Sequence, residues 1–190
     1  SHEFARRGIE ATGVDISERF VQLANSEAPD GATFQRVDAR RLNFDQSFDA
    51  AISLCQGAFG LGGPADDADD PQLLQPDLAV LGGIARALRP GGRFAVSAFS
   101  AYFQVANLEQ SDTFDAASGV NHERTEIRSE FDESNEVDLW TTCYTPRELR
   151  LLFERAELVV DAIHSAETGT YRPLDPATTT PEFLVLGHRP

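Results

Sequence analysis

Lysine and methionine are both missing from this 190-residue chain; all 16 basic residues are Arg, set against 31 acidic ones, for a formal net charge of −15. That deficit argues against nucleic acid as a partner, because neutralising phosphates needs basic patches. No Arg cluster here exceeds two in a row. Cysteine is scarce as well: Cys55 and Cys143 cannot build a disulfide framework, which points to a reducing, cytoplasmic compartment. Long apolar runs are lacking. The uncharged stretch 94–108 carries Ser97, Ser100, Gln104 and Asn107, too short and too polar to span a bilayer, so no membrane association is expected. Zinc-type His/Cys spacing, Gly-x-Ser-x-Gly and Walker A patterns do not occur. The acidic run Asp66-Asp67-Ala68-Asp69-Asp70 lacks the spacing and turn Gly of a calcium loop, so no metal is expected. The absent initiator Met leads us to expect residues ahead of Ser1.

What is present is ordinary globular material: 41% apolar and 25% charged residues, enough for one domain with a core over 1–190. Short apolar runs alternate with amphipathic segments, the rhythm of an α/β fold. Residues 1–7 read as the end of a helix closed by Gly8. Strands are predicted at 11–14, 32–37, 48–54 and 93–99, the third apolar enough to be covered on both faces. Ser17 is an N-cap for a helix over 18–28 with Phe20, Val21, Leu23 and Ala24 on its apolar face. A second helix, about 72–88, is expected to stop at Arg89-Pro90-Gly91-Gly92, after a Gly/Pro/Asp-rich loop over 57–71. Residues 123–131 and 136–144 read as a hairpin, a small insertion within 120–145. Thr145-Pro146-Arg147-Glu148 is a capping box for a helix burying Leu149, Leu152 and Phe153, and strands at 158–164 and 183–188 close the chain.

Such alternation calls for a doubly wound, mostly parallel sheet with ligands at the carboxyl ends of its strands. A first strand with its glycine-rich turn is expected ahead of residue 1, since its absence would leave the 11–14 strand short of a main-chain partner. Asp15 stands at one strand end, where a carboxylate can accept from both ribose hydroxyls or simply cap the next helix. Asp38 closes the neighbouring strand, an acceptor suited to an exocyclic amine or a plain loop acid.

The segments GVDIS (13–17), FQRVDA (34–39), FDAAISL (48–54) and LRPGGRFAVSAF (88–99), in this order and spacing, resemble a class I S-adenosylmethionine-dependent methyltransferase. The resemblance implies a Rossmann-like sheet of seven mostly parallel strands whose last strand runs antiparallel between its neighbours. It implies that S-adenosylmethionine meets Asp15 and Ile16 at the ribose, Asp38 and Ala39 at the adenine, and Leu54, Cys55 and Gln56 along the methionine arm. The family's GxGxG loop is missing from these 190 residues.

Methyl transfer to N or O is an in-line displacement, so positioning supplies much of the acceleration, and a hydroxyl acceptor benefits from a base. Position in the chain nominates Phe59, Tyr102, Phe103, Trp140 and Tyr144 for the acceptor pocket and His122 for a catalytic role. Structural roles compete: His122 as a surface residue, Trp140 and Tyr144 as packing on one hairpin face. A small-molecule acceptor is the leading expectation. An NAD-dependent oxidoreductase fits the acid at Asp15 equally, and a non-catalytic methyltransferase-like binding domain is a second rival.

Overall fold

The computed structural model describes all residues except 56, 64–73, 129–133, 168 and 170–171, and the side chains of 127 and 128. It divides into two compact units, Ser1–Asn43 and Phe44–Pro190.

In the first unit, helix α1 (His2–Arg6) closes at Gly8, whose φ of +80° suits glycine. Strands β1 (Ala11–Asp15) and β2 (Ala32–Arg36) pair in parallel, Ala11 against Ala32 through Asp15 against Arg36. Gly13 has a packing reason: a Cβ there would meet the Phe34 ring at 2.5 Å. Helix α2 (Glu18–Ser26) begins at Ser17, whose side chain accepts from the Phe20 N–H at 3.3 Å. Its buried strip is narrower than its sequence suggests. Val21 is buried and Ala24 half-buried, whereas Phe20 and Leu23 are exposed. The i, i+3 pair Val21 and Ala24 shares one helix face, and Phe20 and Leu23 flank it.

Among the described residues, the second unit is built on a seven-stranded sheet. Its strands are β3 (Phe48–Ser53), β4 (Leu88–Ser100), β5 (Thr113–Asp115), β6 (Val120–Arg128), β7 (Ser134–Tyr144), β8 (Val159–Ala166) and β9 (Glu182–His188). The order is β5-β6-β7-β4-β9-β8, with β3 also on β4. β9 runs antiparallel between β4 and β8, as the family resemblance implies. Helices α3 (Gln75–Ala87), α4 (Ala101–Ala106) and α5 (Pro146–Arg155) complete it. The capping box forms in full: Thr145 accepts from the Glu148 N–H, and the Glu148 carboxylate accepts from the Thr145 N–H at 2.7 Å. Leu81, Leu88, Val96, Leu149, Phe153, Phe183 and Val185 make the core, with Phe153 stacked on Phe94 at 5.1 Å.

Three elements depart from the sequence reading. The 88–92 segment opens a strand instead of a loop. Leu88 is extended and pairs with Phe48, and the Arg-Pro-Gly-Gly run bulges before pairing resumes at Arg93 against Ala50. Gly91, at φ +78°, lets its N–H reach the Arg189 carbonyl at 2.8 Å. β3 is not covered on both faces: Ile52 is 52% exposed, and the strand pairs only with β4 among the described residues. The hairpin gains a third strand, β5, too short at three residues to show a period.

Candidate functional site

Asp15 and Asp38 follow or end adjacent parallel strands, so both stand at the carboxyl edge of the first unit's sheet. The Asp15 side chain is exposed, and its Oδ1 accepts from the Ser17 N–H at 2.7 Å. Ile16 is exposed beside it, and its carbonyl accepts from Arg36 Nε at 3.1 Å. Asp38 caps the short 3₁₀ turn Ala39–Arg41 and is gripped by Arg40 through Nε at 2.9 Å, Nη2 at 2.7 Å and the backbone N–H at 3.0 Å. This fork of hydrogen bonds, foremost from the Arg40 side chain, lowers the Asp38 carboxyl to about 2. A depressed folded-state value contributes stability above the ordinary range near 4 and loses it as pH falls through about 2. Arg40→Ala should therefore flatten the acid limb of the stability curve between pH 4 and 2, by about 1 kcal/mol at most for so open a pair, in urea titrations at several pH values.

In the second unit, β3 ends at Ser53, followed by exposed Leu54 and Cys55, the latter at φ +52°, a left-handed conformation costly for a side chain that is not Gly. Gln56 lies outside the described residues. The chain then turns inward. Phe59 is 1% exposed, stacked on Tyr144 at 5.0 Å, and Gly60 donates its N–H to Asp77 Oδ1 at 2.8 Å. Asp77 is 2% exposed and its Oδ2 accepts from the Tyr144 hydroxyl at 2.5 Å. Burial raises the Asp77 carboxyl, with the two donors opposing that shift, and raises the Tyr144 phenol well above its usual range.

The hairpin meets the sheet at one place. β4 pairs with β9 through Phe99 opposite Glu182, and Phe99 also pairs in parallel with Cys143 of β7. β7 therefore takes the flank of β4 that β3 leaves after Ser53 opposite Val96. This sets the hairpin at the carboxyl end of β3 and β4. The Thr142 N–H donates to the Gly60 carbonyl at 2.8 Å, knitting β7 to the loop after β3. By strand alternation, Asp138, Trp140, Thr142 and Tyr144 share one face of β7. On that face His122, opposite Trp140, stacks its ring on the indole at 4.8 Å and 9°, and its Nε2 lies 2.8 Å from Asp138 Oδ1. Asp138 is held below its usual range, first by the His122 hydrogen bond and further by Arg124 nearby.

The nominated residues thus separate. Phe59 and Tyr144 are core residues touching each other, Trp140 and His122 form one half-exposed stack, Tyr102 is exposed on α4 and Phe103 half-buried there. The acidic run 66–70 and most of the 57–71 loop lie outside the described residues, and no group of three or more metal-binding side chains occurs among the described residues. Sequence reasoning missed Asp77, Arg40 and Asp138. The signal for Asp138 was a carboxylate placed diagonally to His122 once the hairpin register is known.

A family model described as a methyltransferase domain matches residues 1–157. The chain belongs to this methyltransferase family. It is a class I S-adenosylmethionine-dependent methyltransferase, and the nicotinamide-dependent reading falls away. No curated protein matches the chain. Among solved structures, the CcbJ methyltransferase from Streptomyces caelestis is similar at TM-score 0.73 and 16% identity, covering 98% of this chain and 77% of that one. A SAM-dependent methyltransferase from Methanosarcina mazei is similar at 0.67 and 19%, covering 98% and 85%. The 1,6-didemethyltoxoflavin-N1-methyltransferase of Burkholderia thailandensis, solved with 1,6-didemethyltoxoflavin and S-adenosylhomocysteine, is similar at 0.56 and 17%, covering 98% and 64%. At these identities the likeness is one of fold. No helix among the described residues is long and apolar enough to cross a membrane.

Proposed function

We propose that this methyltransferase acts on a small-molecule acceptor through a hydroxyl or amine, with His122 as the base that takes the acceptor's proton. The carrying observation is the His122–Asp138 pair on the hairpin that joins the sheet at the carboxyl end of β4. A net charge of −15 speaks against a polyanionic acceptor, and the Burkholderia relative's acceptor is a small molecule. The two free cysteines suit a cytoplasmic location.

The residues present fit the methyl donor in part. Asp15 is exposed and oriented by the Ser17 N–H, as a ribose acceptor should be. We assign Ile16 beside it, Ala39 with Asp38 to the adenine, and Leu54, Cys55 and Gln56 to the methionine arm. Asp38 already receives three donors from Arg40, so we expect it to contribute less than Asp15. When bound, S-adenosylmethionine supplies a methyl group on a sulfonium that keeps the bonding pair as it leaves. The protein's own residues then do two things: they aim the acceptor and receive its proton. An ionised carboxylate can only accept, so the His122 ring N–H at Nε2 donates to Asp138 and Nδ1 presents its lone pair. The Trp140 ring under the imidazole fixes its plane.

The test is labelled-methyl transfer from S-adenosylmethionine to a panel of small phenols, alcohols and amines, with RNA and a protein mixture as counter-substrates. Transfer to a small molecule supports the reading, and transfer only to a macromolecule refutes it. In calorimetry, Asp15→Ala should weaken S-adenosylhomocysteine binding at least tenfold, about 1.4 kcal/mol, for loss of charge-assisted hydrogen bonds. Equal affinity in wild type and variant would remove Asp15 from the site.

A further inference from the structure

Asp77 has no place in the chemistry above, yet it is a carboxylate buried in the second unit. Burying such a group costs several kcal/mol unless hydrogen bonds compensate, and an apolar side chain would serve the core better. Its two oxygens are spent on two different elements. Oδ1 takes the Gly60 N–H of the loop that follows β3, and Oδ2 takes the Tyr144 hydroxyl at the end of β7. The same two elements meet directly through the Thr142 N–H and the Gly60 carbonyl, and through the Phe59–Tyr144 ring stack. Gly60 can be no other residue without strain, since its φ is +83° and a Cβ would stand 3.1 Å from the Thr142 carbonyl. The loop and the strand are therefore clamped from one point on α3.

We infer that Asp77 is a positioning residue for methyl transfer, fixing the loop after Leu54 and Cys55 against the strand that carries Trp140 and Asp138. This rests on the functional reading above, in which those residues flank donor and acceptor. Positioning errors of about 1 Å between reacting groups cost on the order of a hundredfold in rate, without changing how tightly either ligand is held elsewhere. The clamp should then act on kcat and leave donor affinity alone.

Three variants separate the possibilities. Asp77→Ala removes both acceptors, Tyr144→Phe removes one donor, and Asp77→Asn keeps the shape and an acceptor for the Gly60 N–H. We expect kcat to fall roughly 30-fold in Asp77→Ala and about fivefold in Tyr144→Phe, with Asp77→Asn returning to within about threefold of wild type. The S-adenosylhomocysteine Kd should hold within about threefold in all three. Amide exchange by NMR gives a readout apart from activity: the Gly60 amide should lose protection in Asp77→Ala while those of β4 and β9 keep theirs. Should Asp77→Ala fail to fold, Tyr144→Phe and Asp77→Asn still carry the comparison. Wild-type kcat in a folded Asp77→Ala or Tyr144→Phe, or unchanged Gly60 protection, overturns the assignment. A wild type that transfers no methyl to any acceptor would instead sink the functional reading, with the Gly60 exchange still deciding the clamp.

Discussion

Replacing His122 by Gln should lower kcat about a hundredfold for a hydroxyl acceptor, the low end of what a positioned general base supplies, and leave donor affinity unchanged. Glutamine keeps a hydrogen-bond donor toward Asp138 and much of the contact with Trp140, so the hairpin should stay intact while the proton acceptor is lost. The partner variant sharpens this. Asp138→Asn replaces an obligate acceptor with a group that can also donate to the ring, so it no longer dictates which nitrogen carries the proton. It should cost about tenfold in kcat, and adding it to His122→Gln should cost little more, because the two act as one unit. Steady-state kinetics on the four proteins checks this. Additive losses would mean that the two act independently and that Asp138 does not work through His122.

Gly187→Ala should destabilise the second unit by about 3 kcal/mol or more, read as a lower midpoint in urea with an unchanged slope. A Cβ at Gly187 would stand 2.0 Å from the Val159 carbonyl oxygen and 2.4 Å from the Phe94 ring. One of those obstacles is backbone of the neighbouring strand, just before the pairing shifts between Val160 and Ala162. The other ring is stacked on Phe153 in the core. Relief by a rotamer change is therefore closed on one side and costly on the other. Gly13→Ala makes a useful contrast, because its nearest obstacle at 2.5 Å is a side chain, Phe34, that can swing aside. It should cost less. A Gly187→Ala loss below about 1 kcal/mol would mean that β8 and β9 separate more easily than their packing indicates.

Much of this was readable from residues alone. The order of GVDIS, FQRVDA, FDAAISL and LRPGG carried the family, and local capping rules carried Ser17 and the Thr145–Glu148 box, because each acts within a few residues. The antiparallel last strand came with the family resemblance. What escaped depends on register and burial. His122 meets Asp138 only because Arg124 pairs with Asp138 and His122 with Trp140 across a long hairpin. Asp77 follows Pro76 at the start of α3 and reads as an ordinary first-turn acid; that the helix start faces the core is a tertiary fact. Phe59 and Tyr144 were placed near a pocket by chain position, and the same strand alternation that aligns Tyr144 with Trp140 turns it onto Phe59 in the core. The Arg-Pro-Gly-Gly run reads as a helix stop, and it is one; that it also bulges within a strand needs the pairing of Leu88 with Phe48 and of Gly91 with Arg189.

The most direct measurement is an amide NMR titration of the whole protein with S-adenosylhomocysteine. The account requires the amides of Asp15, Ile16 and Ala39 in the first unit, and those of Leu54 and Cys55 in the second, each to shift saturably with ligand, and Asp49, Arg93 and His188, at the other strand ends of the second unit, to stay in place. Saturable shifts confined to those other strand ends, or no shifts at millimolar ligand, would contradict it.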